Sequence, residues 1–353
     1  MNPSSPSRIN RPLHWFAVLT AIATFLLLGL GGLVTSHEAG MSVPDWPTSY
    51  GYNMFALPIK FWTGGAFFEH THRLLASGIG LMTTILMVWL WVADPRKWMR
   101  WLGVIAFFGV IAQGILGGLR VRWHMDYLGV PHGVIAQSFL ILICAIALFT
   151  GGLWRRVTEQ NRLNVSPGLR RFVLFVTIVI FAQLVLGATM RHQHAGLAIS
   201  DFPLAHGKIW PDTSVDAIAR YNAERMETVN VAPITAFQVV LQMIHRLVAG
   251  LVFLGVAMTV GWAVKRLGKQ DLLVKLAWFW LALIILQVGL GAWTIWSNKA
   301  ADVATAHVLI GALSLVTGAL WCIIAYRRSG RTAVTKTETA ASLGGLGTFA
   351  ANR

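Results

Sequence analysis

The stretch Glu69-His70-Thr71-His72-Arg73 sets a carboxyl three residues before an imidazole, so on a helix Glu69 and His72 share one face, a turn apart. Imidazoles bind metals and porphyrin iron, and a nearby carboxyl can take or give a proton. A near copy follows at Gln242-Met243-Ile244-His245-Arg246, where the His-Arg pair persists and the acid has become an amide. Two more histidines, His132 and His307, open later apolar runs. His70 lies about 200° around the helix from His72 and cannot share its metal. His192, His194 and His206 fall in a polar connection, where a further metal site is the weaker reading.

The elements that must position these groups are membrane helices. Of 353 residues, 56% are hydrophobic and 12% charged, with mean hydropathy +0.61, too apolar for an ordinary soluble domain. Eight runs are long enough to cross a bilayer, at about 15–35, 66–92, 101–119, 130–150, 171–190, 236–263, 273–295 and 304–326. The net charge of +15 would suggest nucleic acid in a soluble protein, but the basic residues cluster in alternate connections. These are Arg8 and Arg11; Arg96, Lys97 and Arg100; Arg155, Arg156, Arg162, Arg170 and Arg171; Lys265, Arg266, Lys269 and Lys275; and Arg327, Arg328 and Arg331. The positive-inside rule puts all five groups, and both termini, in the cytoplasm, with Arg120 and Arg122 as a local exception. No nucleic-acid partner is expected. The first run is expected to stay as a signal-anchor helix. Cys144 and Cys322 fall inside the fourth and eighth runs and read as packing residues.

The chain also repeats itself. Ala39-Gly40 through Asp45-Trp46-Pro47 is answered by Ala195-Gly196 through Asp201-Phe202-Pro203, and Tyr50-Gly51 by His206-Gly207. His72-Arg73-Leu74 is answered by His245-Arg246-Leu247, Gln113-Gly114 by Gln287-Val288-Gly289, and His132 by His307. The expected fold class is therefore an all-α polytopic membrane protein of two repeated four-helix bundles, related by an axis along the membrane normal. Its parts are an N-terminal segment 1–14, a first repeat 15–150, a linker 151–170, a second repeat 171–326 and a disordered tail 327–353. The small residues Gly114, Gly117, Gly118, Gly289, Gly291 and Ala292 read as close helix packing. The long connection 191–235 is expected to hold a short surface helix at 213–228. Asp45 and Asp201 read as turn residues, with a cap over the sites from outside as the functional alternative.

Four histidines, His72, His132, His245 and His307, thus lie near the outer ends of even-numbered spans, where an imidazole is costly unless it serves a function. Two imidazoles per half, from different helices of an apolar bundle, suit the axial positions of a haem iron, whereas zinc would want three or four close donors. Two porphyrin sites near the outer leaflet follow. Arg73 and Arg246 could meet haem propionates or snorkel to the interface. Glu69 has no acidic counterpart in the second half. A carboxyl beside a haem in a low-dielectric site is expected to favour its neutral form and to suit proton transfer, which marks the first half as the place of reaction.

The Glu-x-x-His-Arg pattern at Glu69, His72 and Arg73, with His132, His245-Arg246 and His307 over eight helices, resembles the haem A synthase family from about residue 15 to 326. The resemblance implies oxidation of a haem O methyl group by successive hydroxylations to the formyl group of haem A, which terminal oxidases need. By position it implies that His245 and His307 hold a resident haem b, that His72 and His132 flank the substrate haem, and that Glu69 is the catalytic carboxyl. It implies a multi-pass plasma-membrane protein, with haem O synthase and terminal-oxidase assembly as candidate partners. The electron donor is unnamed, and an oligomer is left open. Some family members carry a cysteine pair in the loop after the first helix; here the stretch around Ser42 to Tyr50 has none, so thiol chemistry there is closed to this chain. A bis-histidine electron-transfer cytochrome and a haem transporter are the alternatives.

Overall fold

A computed structural model describes residues 10–159, 165–224 and 233–328. Among them the chain is helical: α1 (Arg11–Ser36), α2 (Gly64–Ala93), α3 (Lys97–Arg122), α4 (Gly129–Thr150), α5 (Gly152–Glu159), α6 (Pro167–His192), α7 (Val215–Glu224), α8 (Ala236–Leu267), α9 (Leu272–Trp296) and α10 (Ala301–Arg327). All except α5 and α7 are long and apolar enough to cross a membrane, which gives the eight spans expected from sequence. The spans overrun the apolar stretches; α3, for example, starts at Lys97 and α6 at Pro167, because basic and capping residues continue a helix into the polar interface.

Local chemistry explains where several helices start. The Asn10 side chain accepts from Leu13 N–H at α1, and Ser166 does the same for Leu169 at α6, each just before a proline in the first turn. Thr235 and Gln238 form a reciprocal capping box at α8. Asp271 caps α9 and also pairs with Arg328 at 2.8 Å, tying the start of α9 to the end of α10.

Packing divides the spans into two quartets. α1 packs on α2 and α4, α2 on α3, and α3 on α4; likewise α6 packs on α8 and α10, α8 on α9, and α9 on α10. Each quartet has its own apolar core, around Ile79, Leu86, Leu90, Met99 and Ile143 in the first and Val173, Val256, Leu273, Trp280 and Trp321 in the second. Trp280 and Trp321 are wholly buried with their indole N–H groups donating to Ser314 Oγ and Leu273 O, both at 2.9 Å. A seam of Phe25, Leu28, Leu140, Ala312 and Val316 joins the quartets where α1 and α4 meet α10. Large apolar side chains such as Leu19, Ile22, Leu26, Leu81, Phe108, Leu251 and Ile285 point outward, as a lipid-facing surface requires.

Three sequence expectations are sharpened. The linker 151–170 contains α5, whose Val157 buries against the second core. The surface helix expected at 213–228 is α7, and its last expected residues lie outside the described ones; the tail expected to be disordered from 327 starts later, with Arg327 inside α10 and Arg328 held by Asp271, and from 329 it lies outside the described residues. Cys144 is half-buried in α4 and Cys322 buried in α10, both as free thiols.

Candidate functional site

Helices α2, α4, α8 and α10 all begin at one end of the bundle, and His72, His132, His245 and His307 occupy their first thirds. All four rings are half-buried, and each leans on a glycine of a neighbouring helix. A methyl group on Gly31 of α1 would stand 3.1 Å from His72 Cε1, and one on Gly187 of α6 would stand 3.3 Å from His245 Cε1. On Gly117 of α3 and Gly291 of α9 it would be 3.2 Å from His132 and His307. Four histidines thus share one arrangement. The close-packing reading of the small residues holds at Gly117 and Gly291, which face imidazoles of neighbouring helices, and at Gly118, which faces the Trp46 indole, whereas Gly114 and Gly289 would meet nothing within 4 Å. Gly31 and Gly187 escaped the sequence reading, although both stand eight residues before the repeated Ala-Gly pair.

The rings of His245 and His307 have centroids 6.5 Å apart at 58°, a gap that a metal bonded to one nitrogen of each ring at about 2.0–2.1 Å would bridge. Nδ1 of His72, His245 and His307 is buried with no hydrogen-bond partner. His132 differs: Gln113, with its amide turned to satisfy its neighbours, donates to His132 Nδ1 at 3.1 Å. Its counterpart Gln287 lies 3.4 Å from His307 Nε2. Leaving buried polar atoms unmatched costs roughly 1–3 kcal/mol each, so rings held this way suit a further partner, and neutral imidazoles from facing helices fit axial ligation of a haem iron.

Glu69 is only 4% exposed and is fully engaged. Its Oε1 pairs with Arg73 at 2.7 Å, and its Oε2 accepts from Val43 N–H at 2.8 Å. Gln242 does the same for the second connection, accepting from Ile199 N–H at 2.7 Å and donating to Ile199 O at 3.2 Å. Neither an apolar wall nor water surrounds this carboxyl: its partners are Arg73 and the Val43 amide. Arg73 also donates to the carbonyls of Val43, Asp45 and Thr48, and Arg246 donates to those of Asp201 and Leu204. The arginines assigned from sequence to propionates or to the interface are occupied by these loops.

Both loops are built alike. Asp45 accepts from the amides of Tyr50 and Gly51, and Asp201 from those of His206 and Gly207, where the glycines have φ of +77° and +73°. The turn reading of both aspartates holds. Burial pushes the Asp45 carboxyl up, but hydrogen bonds from Thr48, Gly51 and Tyr50 outweigh it and hold it below the ordinary 3.8. Asp201 is likewise lowered, burial being outweighed by the Gly207 and His206 amides. The first loop also reaches α3, through Trp46 on Gly118 and Arg120 against Gly40. Tertiary contact brings it over the His72 end of the quartet.

The remaining histidines are dispersed. His70 is buried against Trp62, with Nδ1 3.4 Å from Ser49 Oγ. His206 stacks on Tyr221 at 3.6 Å, and His192 abuts Gly129 at the start of α4. Among the described residues, no group of three or more His, Cys, Asp or Glu side chains is placed to hold a metal ion.

A family model described as cytochrome oxidase assembly protein, COX15-CtaA, matches residues 14–319. The chain belongs to the COX15-CtaA family. The four histidines and Glu69 all fall within the matched part. The chain is similar to the heme A synthase of Lysinibacillus sphaericus, 28% identical over 322 residues that cover 89% of this chain and 95% of that protein. It is similar also to the heme A synthases of Shouchella clausii, 28% identical with 80% and 86% covered, and of Geobacillus kaustophilus, 27% identical with 87% and 90% covered.

Proposed function

We propose that this member of the COX15-CtaA family is a haem A synthase, an oxidoreductase that converts a methyl group of haem O into the formyl group of haem A by successive hydroxylations, for terminal oxidases. One observation carries the reading: all four histidines lean on a glycine of a neighbouring helix, and an ionisable carboxyl precedes only one of the repeated His-Arg pairs, Glu69 against Gln242. The relatives named heme A synthase, matched over most of their length, support it.

In this reading the quartets are duplicated bundles with both termini in the cytoplasm, set in a bacterial plasma membrane with the histidine end toward the outer leaflet. His245 and His307 hold haem b as resident cofactor, and His72 and His132 flank the haem O substrate. The bound haem b supplies electron-transfer chemistry that no side chain of this chain offers. Glu69 hands protons on and off at its carboxylate oxygens, while Arg73 fixes that carboxylate in place. The first loop, clamped by Glu69 and Arg73 and resting on α3 through Trp46, keeps water from the reacting edge.

Purified protein supplied with haem O and a reductant in air should yield haem A on chromatography of the extracted porphyrins. Return of unchanged haem O would favour a carrier or a plain cytochrome. Glu69→Gln makes the first half copy the second, where an amide holds the loop; porphyrin should be retained and formyl product fall by about 100-fold or more, the scale of a general acid–base group. An unchanged haem A yield would leave Glu69 with loop clamping only.

A further inference from the structure

Two cations at the outer end of the second quartet take part in no ion pair among the described residues. Arg191, in the last turn of α6, donates through Nη2 to Gly32 O at 2.6 Å and to Ser36 Oγ, both on α1. Ser36 Oγ in turn lies 3.4 Å from Thr305 Oγ1, two residues before His307 on α10. The guanidinium therefore sits where α6, α1 and α10 meet, at the His307 mouth. Lys299, in the turn between α9 and α10, is half-buried, with its side chain against Gly196 and near enough to Arg191 to feel its charge. Burial first, and then the Arg191 charge, hold its ammonium below the usual lysine range, with the exposed Glu38 pulling the other way. Among the described residues the ion pairs are Arg73–Glu69, Arg96–Asp94, Arg120–Asp126 and Arg328–Asp271, and none includes Arg191 or Lys299. Two like charges held together at an apolar helix end are costly unless an anion completes them.

The first half lacks this arrangement. Gly31 and Gly187 play the same part against His72 and His245, and this register sets Thr35 opposite Arg191. The turns after α3 and α9 match as well: Met125 N–H donates to Arg120 O at 3.1 Å and Lys299 N–H to Thr294 O at 2.7 Å, so Met125 stands for Lys299. The first half does place a cation over the equivalent glycine, Arg120 against Gly40, but that cation is paired with Asp126 at 2.9 Å.

We propose that Arg191 and Lys299 form an anion subsite that takes the carboxylates of the porphyrin held by His245 and His307, and that its absence from the first half lets the porphyrin there exchange. This rests on the reading of the histidine pairs given above. Arginine offers a planar fork to one carboxylate, and lysine a point charge to the other, at the edge of the ring nearest the polar interface. A resident cofactor is then held by iron and by charge, whereas a substrate that must leave is held by iron alone.

The test compares haem b with its dimethyl ester, which keeps the iron and loses both charges. Full-length protein stripped of pigment should bind the diacid at least about tenfold more tightly at the second site, since one charge-assisted hydrogen bond is worth roughly that factor. Arg191→Thr with Lys299→Met installs the first-half residues and should abolish the preference, while Arg191→Lys with Lys299→Arg should keep it. If Arg191→Thr loosens the α1–α6 contact and spoils folding, Lys299→Met alone, which breaks no hydrogen bond, should still reduce the preference. A double variant that discriminates as wild type does would overturn the subsite while leaving the histidine site standing. Porphyrin binding that is indifferent to His307→Ala would instead overturn the site itself.

Discussion

A hydrogen atom where another residue carries a methyl group decides how far each imidazole can lean toward its neighbouring helix. At Gly291 the substitution to Ala would put a carbon 3.2 Å from His307 Cε1, whereas the same change at Gly289 would meet nothing within 4 Å. Crowding of this kind costs about 1–3 kcal/mol, equivalent to about 5- to 150-fold in affinity. Gly291→Ala should therefore lower haem occupancy of the second site by about that range, and Gly289→Ala should leave it as in wild type; equal occupancy in both would deny the glycine its part. The spacing of Glu69 and His72 was legible in the sequence because one helix sets it. The company Glu69 keeps was half legible: Arg73 is one turn on, but Val43 N–H arrives from a loop that no helical period describes.

At the scale of elements, the twin loops behave as one device used twice. Each is fastened to the even-numbered helix behind it by an amide or acid and an arginine, and each is folded on itself by an aspartate. Because the Asp45 and Asp201 carboxyls titrate below their ordinary value in the folded loop, they stabilise it fully above about pH 4, and this contribution is lost as pH falls through the lowered values. Amide protection at Tyr50, Gly51, His206 and Gly207, corrected for intrinsic exchange, should drop on acidification below about pH 4 and not before; protection that stays level would separate the aspartates from loop stability. The eight spans were readable because each needs about 20 apolar residues, a signal that survives any packing. Asp45 and Asp201 were readable as turns for a similar reason: their partners lie five and six residues away. The glycine cradles were not, since a Gly31 that meets His72 across two helices looks in sequence like any small residue of a membrane span. Arg191 and Lys299 were missed because comparing repeats draws attention to matches, and these two positions matter by failing to match.

For the whole molecule, two quartets of like packing meet at a seam, and the difference between them is chemical. The first has a carboxyl at Glu69 and a neutralised Arg120; the second has an amide at Gln242 and the unpaired Arg191 and Lys299. Gly31 of α1 touches His72 while Gly32 beside it lies against Thr305 of α10, so one short stretch of α1 separates the two histidine sites. A duplicated scaffold with divergent charges can keep one porphyrin and process another. The most direct measurement is the identity of the porphyrins extracted from purified wild-type protein, from His72→Ala/His132→Ala and from His245→Ala/His307→Ala. The first double variant should retain haem b and lose haem O and its oxidised products, and the second should lose haem b. If both variants lose the same pigment, or if neither loses any, two separate paired-imidazole sites with divided roles do not exist in this protein.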